Sequence, residues 1–163
     1  MTAILVVGKT GSGKTTLVKS LLKKANKKSL FLYDVNNEYK EFVTEAVELD
    51  FDIFAERAKN LTNAVILFEE ATIFLSNKGS NFNLKNILVR KRHTKNTVIL
   101  VFHSFRTIPR YVFDLCNFIA VKKTSDNIDF IDSRFEHDKL SVTCREIFSS
   151  KDKFAQKIIT INS

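Results

Sequence analysis

The stretch AILVVGKTGSGKTTLVKSLL, near the start of the chain, constrains the fold more than any other. It opens as an unbroken apolar run (residues 3–8), crosses three glycines, Gly8, Gly11 and Gly13, and continues with apolar Leu17, Val18, Leu21, Leu22 and Ala25. An apolar run ending in glycine fits a strand buried on both faces of a parallel sheet. The spacing of three and four that follows predicts a helix from Thr15 to about Asn26. The residues joining them, Gly8, Lys9, Thr10, Gly11, Ser12, Gly13, Lys14 and Thr15, fit G-x-x-x-x-G-K-[ST] at every position. Glycine tolerates positive φ, so such a loop can turn its backbone N–H groups inward. The helix that follows adds partial positive charge at the same point. A tight strand-to-helix turn would explain the glycines alone, but the complete pattern in this context predicts a cradle for phosphate.

The rest of the chain alternates in the same manner. SLFLYD (residues 29–34), AVILFEE (64–70), TVILVFHS (97–104) and NFIAVKKT (117–124) are short apolar runs closing on polar residues. Helical candidates lie between them, around residues 52–60, 83–91 and 109–115, the last opened by Pro109, the only proline. Strand–helix alternation with buried runs predicts a doubly wound, mainly parallel α/β sheet. Polar residues at the strands' carboxyl ends should then share one edge, where such sheets bind ligands. SNKGSNFN (residues 76–83), with the fourth glycine, reads as a flexible loop. The tail from residue 126 onward is less legible, although KIITIN can add an edge strand. At 163 residues the chain suffices for one domain (1–163) with a full core. No apolar run approaches the ~20 residues of a membrane helix, and no signal peptide is evident. Cys116 and Cys144 read as two reduced thiols, which suits a cytoplasmic location.

The cradle assigns roles. Lys14 can reach the β- and γ-phosphates of ATP, the Thr15 hydroxyl can ligate Mg²⁺, and Thr16 supports the α-phosphate side. AVILFEE adds Glu69 and Glu70 at a strand end. One carboxylate can organise the Mg²⁺ shell while its neighbour acts as general base on the attacking water. The first acid of such a pair is usually Asp, so Glu69 leaves open which glutamate does which task. Surface acids at a strand end are the alternative. A GTPase is disfavoured because no N-K-x-D tetrapeptide occurs. Two other classes remain: a kinase acting on a small acceptor, and a nucleotide-gated assembly module.

Charge narrows the partners. The net charge is +8, with lysines crowding KSLLKKANKK (residues 19–28) and Arg90, Lys91, Arg92 and Lys95 grouped before a predicted strand. Acids gather between residues 34 and 56. A basic balance favours a polyanionic partner through counterion release. Solvated helix faces would carry the same lysines.

Taken in order, these motifs resemble the FtsK–HerA family of DNA-translocating ATPases, which includes viral genome-packaging ATPases. Besides the loop and VILFEE, LFLYDVNNEYKE is similar to that family's second strand and its D-x-x-x-E-Y. VRKRHTKNTVILVFHSFRTIP is similar to its arginine-bearing helix end, fourth strand and polar sensor, and FIAVKKTSDNIDFIDSR to its fifth strand. Together they span most of residues 4–134. The resemblance implies a RecA/FtsK-like P-loop NTPase core, three-layered αβα, that couples ATP hydrolysis to DNA movement in an oligomeric ring. A minimal core favours packaging of a viral genome, with capsid or portal-vertex partners. It implies an arginine supplied to the neighbouring site by Arg90 or Arg92, with Arg106 and Arg110 as second choices. The family's Thr-Gln sensor is His103-Ser104 here. His103 is therefore either a γ-phosphate or DNA-state sensor or a histidine satisfied by backbone. DNA would be met through its backbone by the 76–82 loop, Lys78 included. Phe82, Phe105 and Tyr111 could stack on bases, although fifteen phenylalanines in so short a chain are expected mostly in the core.

Overall fold

The structure, a computed structural model, describes residues 1–25, 29–42, 50–75 and 78–162. Five strands run parallel: β1 (Thr2–Val7), β2 (Ser29–Tyr33), β3 (Ala64–Phe68), β4 (Thr97–Phe102) and β5 (Phe118–Lys122). A sixth, β6 (Gln156–Thr160), pairs antiparallel with β5, and the sheet order is β2-β3-β4-β1-β5-β6. The strand carrying the glycine loop is thus central, with Leu5 opposite both Leu100 and Ile119.

Alternate side chains of these strands enter two different cores, so each strand must be apolar on both sides. Leu5, Val7, Ile66, Phe68, Leu100 and Phe102 face one layer; Val6, Leu67, Ile99 and Val101 face the other. The first layer comprises α2 (Phe51–Ala58), α3 (Lys78–Arg90), α4 (Arg110–Leu115), α5 (Ile128–Phe135) and α6 (Asp138–Ser149). The second is α1 (Lys14–Lys24), through Leu17, Val18 and Leu22, with the segment carrying Tyr39 and Phe42. The result is the expected doubly covered, mainly parallel sheet. No helix among the described residues is long and apolar enough to cross a membrane.

The expected flexible loop at residues 76–83 is a correction. Lys78 through Asn83 form the first turns of α3, which also begins earlier than residue 83; Ser76 and Asn77 lie outside the described residues. Leu84, Ile87 and Leu88 anchor that helix in the core. The Tyr111 hydroxyl on α4 donates to the Asn81 side chain and ties the first turns down. Gly79 costs only about 1 kcal/mol in such a helix. A second correction concerns Phe82, which is 67% exposed rather than core. The ends of the lysine-rich stretch (residues 26–28) and part of the acidic one (43–49) lie outside the described residues.

The tail contributes two capped helices and the edge strand. The Asn127 side chain accepts from the Asp129 amide (2.7 Å) and His137 Nδ1 from the Leu140 amide (3.2 Å), starting α5 and α6. Elsewhere most phenylalanines do pack inside: Phe54 stacks on Phe31 at 4.4 Å and meets Phe68 edge-on at 5.4 Å. Phe54→Ala should therefore lower stability by about 3–5 kcal/mol in chemical denaturation. Phe82→Ala, at an exposed position, should change it by less than ~0.5 kcal/mol.

Candidate active site

The carboxyl ends of β1, β3 and β4 lie side by side, and each delivers part of one cavity. From β1 the chain enters the glycine loop. The Gly8 amide donates to the Phe102 carbonyl (3.1 Å) and the Lys9 amide to that of Lys123 (2.8 Å), so the loop's base is stitched to both neighbouring strands. Gly8 leaves no room for a side chain: a Cβ there would stand 2.5 Å from Ser12 Oγ and 2.8 Å from Lys122 Cβ. Gly11 and Gly13 have φ of 74° and 83°, the left-handed region that other residues enter at a cost. The first helical bond of α1 runs from the Leu17 amide to the Gly13 carbonyl (3.2 Å), and Gly13 provides no side-chain cap. The amides of Lys14, Thr15 and Thr16 precede that bond, as an anion-binding helix start requires.

The cavity so formed has a volume of about 520 Å³ and is lined by Thr10, Gly11, Gly13, Lys14, Thr15 and Thr16 from the loop. Glu38, Glu69, Glu70 and His103 line the rest of it, with Asn36 and Phe154 at its margin. Lys14 is 8% exposed, and its ammonium donates to the Lys9 carbonyl (3.2 Å) and to His103 Nδ1 (3.1 Å). Since an ammonium only donates, Nδ1 accepts and the ring proton sits on Nε2. That nitrogen bonds Glu70 Oε1. Lys14, His103 and Glu70 therefore form one continuous chain. His103 is satisfied by these side chains, not by backbone. Glu70 itself has φ 54°, which turns the backbone sharply out of β3.

Burial sets the electrostatics. It holds the Lys14 ammonium below its usual pKa, against the opposing pull of Glu70, Glu69 and Glu38. Glu69 is pushed up to about 8, first by burial and then by the nearby Glu38 carboxylate. The Tyr39 hydroxyl donates to Glu69 Oε1 (3.2 Å), while Glu69 Oε2 is buried without a partner, as is Ser12 Oγ. Unpaired buried oxygens are costly; Glu69 lines the cavity, whereas Ser12 Oγ is packed under the loop against Gly8.

The structure brings Thr10, Gly11, Gly13, Lys14, Thr15 and Thr16 of the predicted loop together with Glu69, Glu70 and His103; Gly8, Lys9 and Ser12 form the loop's base without lining the cavity, and the predicted arginines stand elsewhere. Arg90 ends α3 and Arg92 follows it, just before β4 begins, so both are at the opposite edge of the sheet. Arg92 lies beside Asn117 and Asn162, far from its own chain's cradle. Arg110 is engaged by Asp114 (3.0 Å) and the Arg134 carbonyl (2.7 Å). The Ser104 hydroxyl donates to Asp126 Oδ1 (2.6 Å) and does not line the cavity, whereas His103, just past β4, does. Among the residues not foreseen as site residues, Glu38 accepts the Thr15 hydroxyl proton at 2.8 Å. It stands in the D-x-x-x-E-Y stretch, whose regular spacing was the available signal. Phe154 had none, because the tail lacked a readable pattern.

Because folded Glu69 keeps its proton up to about pH 8 while a free glutamate releases it near 4.5, stability should fall as pH rises through that window. In nucleotide-free, metal-free buffer, the Tm of Glu69→Gln minus that of the unsubstituted protein should grow from about pH 5 to about pH 8. A constant difference would contradict the shift.

Residues 2–102 match the family described as the central domain of the helicase HerA. No curated protein matches the sequence. Among solved structures, the chain is similar to the genome packaging NTPase B204 of Sulfolobus turreted icosahedral virus 2 in complex with ATPγS. The TM-score is 0.76 at 17% identity, covering 99% of this chain and 92% of that one. B204 of Sulfolobus turreted icosahedral virus, described as a DNA-packaging ATPase, gives 0.70 at 16% identity over 96% of each chain. A KaiC-like protein of Pyrococcus horikoshii gives 0.50 at 16% identity, over 75% of this chain and 71% of that one. At these identities the likeness establishes a shared P-loop fold. The family match, which spans the loop, the glutamate pair and β4, goes further: the chain belongs to the HerA helicase central-domain family.

Proposed function

We propose that this chain is a Mg²⁺-dependent ATPase, one domain spanning residues 1–163, whose hydrolysis of ATP drives DNA into a viral capsid. The observation that carries the reading is the Lys14–His103–Glu70 chain beside the glycine loop, in a member of the HerA family. The likeness to B204, solved with ATPγS and AMPPCP, supports it.

In this reading the loop amides and Lys14 take the polyphosphate, and the ammonium exchanges its contacts to the Lys9 carbonyl and His103 for phosphate oxygens. The nucleoside end extends into a neighbouring cavity of about 900 Å³ between α1 and the chain around Phe154. Gly13, Thr16 and Phe154 line both cavities, so one molecule can occupy the two. Thr15 and Glu69 would hold Mg²⁺. The buried, unpartnered Glu69 Oε2 fits that role, and the ion supplies positive charge to the phosphate oxygens. Glu70 accepts a proton from the attacking water as the water's oxygen bonds the γ-phosphorus and the bond to the β-phosphate oxygen breaks, leaving ADP and phosphate. His103, joined to both Lys14 and Glu70, senses whether a γ-phosphate is present.

Arg90 or Arg92, at the opposite sheet edge, acts on a neighbouring subunit's nucleotide in a ring. Such an arginine contributes ~10³–10⁵ in rate. The exposed start of α3 meets DNA through its backbone, without base specificity. Capsid or portal-vertex proteins are the assembly partners, and the host cytoplasm is the place of action.

Two measurements test the reading. ATP turnover per subunit should rise with protein concentration and with added DNA. A rate flat across dilution and indifferent to DNA would refute the shared-site motor. Glu70→Gln should bind an ATP analogue normally and lose ~10²–10⁴-fold in turnover; undiminished turnover would remove Glu70 as the base.

A further inference from the structure

Glu38 is the acidic residue of the cavity that the proposed mechanism leaves unused, and the chain holds it there deliberately. Asp34, 1% exposed at the end of β2, accepts from the Glu38 amide and the Tyr39 amide through its two carboxylate oxygens, each at 2.9 Å. These two hydrogen bonds from backbone amides hold residues 34–39 in a turn. On one side of the turn, Tyr39 is buried and donates to Glu69; on the other, Glu38 reaches the first turn of α1 and accepts the Thr15 hydroxyl proton at 2.8 Å. A hydroxyl has one proton and two lone pairs. With the proton committed to Glu38, the Thr15 lone pairs are free to face a cation. Glu69 is engaged by Tyr39 and keeps Oε2 buried and unpartnered in the same cavity. Glu38 and Glu69 line the same space, so a divalent cation entering it would pair with both carboxylates.

We infer that Glu38 is a positioning residue of the divalent-cation site: by accepting the Thr15 proton it aims the Thr15 oxygen at Mg²⁺, and with Glu69 it forms the negative wall of that site. The inference rests on the nucleotide-binding reading above. Outer residues that orient a metal ligand in this way typically change metal affinity by ~10–100-fold when altered.

The test is calorimetric titration of AMPPCP into the unsubstituted protein, Glu38→Gln, Thr15→Ala and the double variant, each with Mg²⁺ and with EDTA. In EDTA, Glu38→Gln should bind the analogue at least as tightly as the unsubstituted protein, since one charge facing the polyphosphate is gone. With Mg²⁺ it should lose ~10–100-fold of the gain that Mg²⁺ confers. On a Thr15→Ala background the same change should cost almost nothing more. Glu38 is exposed, and unchanged thermal melting of Glu38→Gln would show that the fold is intact. Four results overturn the inference: a full Mg²⁺ gain in Glu38→Gln; an equal loss in both buffers; an undiminished loss on the Thr15→Ala background; or no Mg²⁺ gain in the unsubstituted protein that nonetheless binds AMPPCP. The last leaves nucleotide binding standing. Failure of the unsubstituted protein to bind AMPPCP in either buffer overturns the nucleotide reading, and this inference with it.

Discussion

The turn between β1 and α1 governs the rest of the molecule. A central strand whose faces are both buried must hand its chain to a helix without leaving amides unpaired in the interior. Here it does so with three glycines, two in the left-handed region and one with no space for a Cβ. The consequence is a set of backbone donors at the middle of the sheet's carboxyl edge. Because β3 and β4 lie next in register on one side, their ends bring Glu69, Glu70 and His103 to the same place. Chemistry that needs several elements is thereby assembled by sheet order alone.

Burial sets the charges at that place off their ordinary balance. One buried ammonium is held below its ordinary pKa and one buried carboxylate above its own. Each disturbance would be relieved by a polyanion arriving with a dication: phosphate favours the charged Lys14, and a metal favours the ionised Glu69. In the meantime the groups satisfy one another, Lys14 through His103 and Thr15 through Glu38. A site that must release internal hydrogen bonds to accept its ligand can register the ligand's presence. On the proposed reading, this would be the physical basis for sensing by His103, which lies between Lys14 and Glu70.

Much of this was legible before any coordinates. Apolar runs reveal strands buried on two faces, and the glycine pattern carries its own mechanism, so β1, α1 and the strand-end glutamates follow from residues alone. The edge strand near the end of the chain was also visible in KIITIN. The start of α3 was misread because SNKGSNFN is polar and contains glycine, whereas its helical state depends on Leu84, Ile87 and Leu88 downstream and on the Tyr111 tether from α4. Local composition cannot report a tether from another element. Glu38 was missed for a similar reason: its partner, Thr15, is twenty-three residues earlier, and only the Asp34 turn brings them together. The roles of Arg90 and Arg92 depend on a second subunit, so what this chain contributes is their position at the edge opposite the cradle.

The central claim is that the amides of residues 8–16 receive a nucleotide's polyphosphate. Amide hydrogen exchange with and without a magnesium–ATP analogue tests it most directly. Exchange should slow across residues 8–16 and at Glu38 and Tyr39 when the analogue is added. Unchanged exchange across residues 8–16, with protection confined to other parts of the chain, would contradict it.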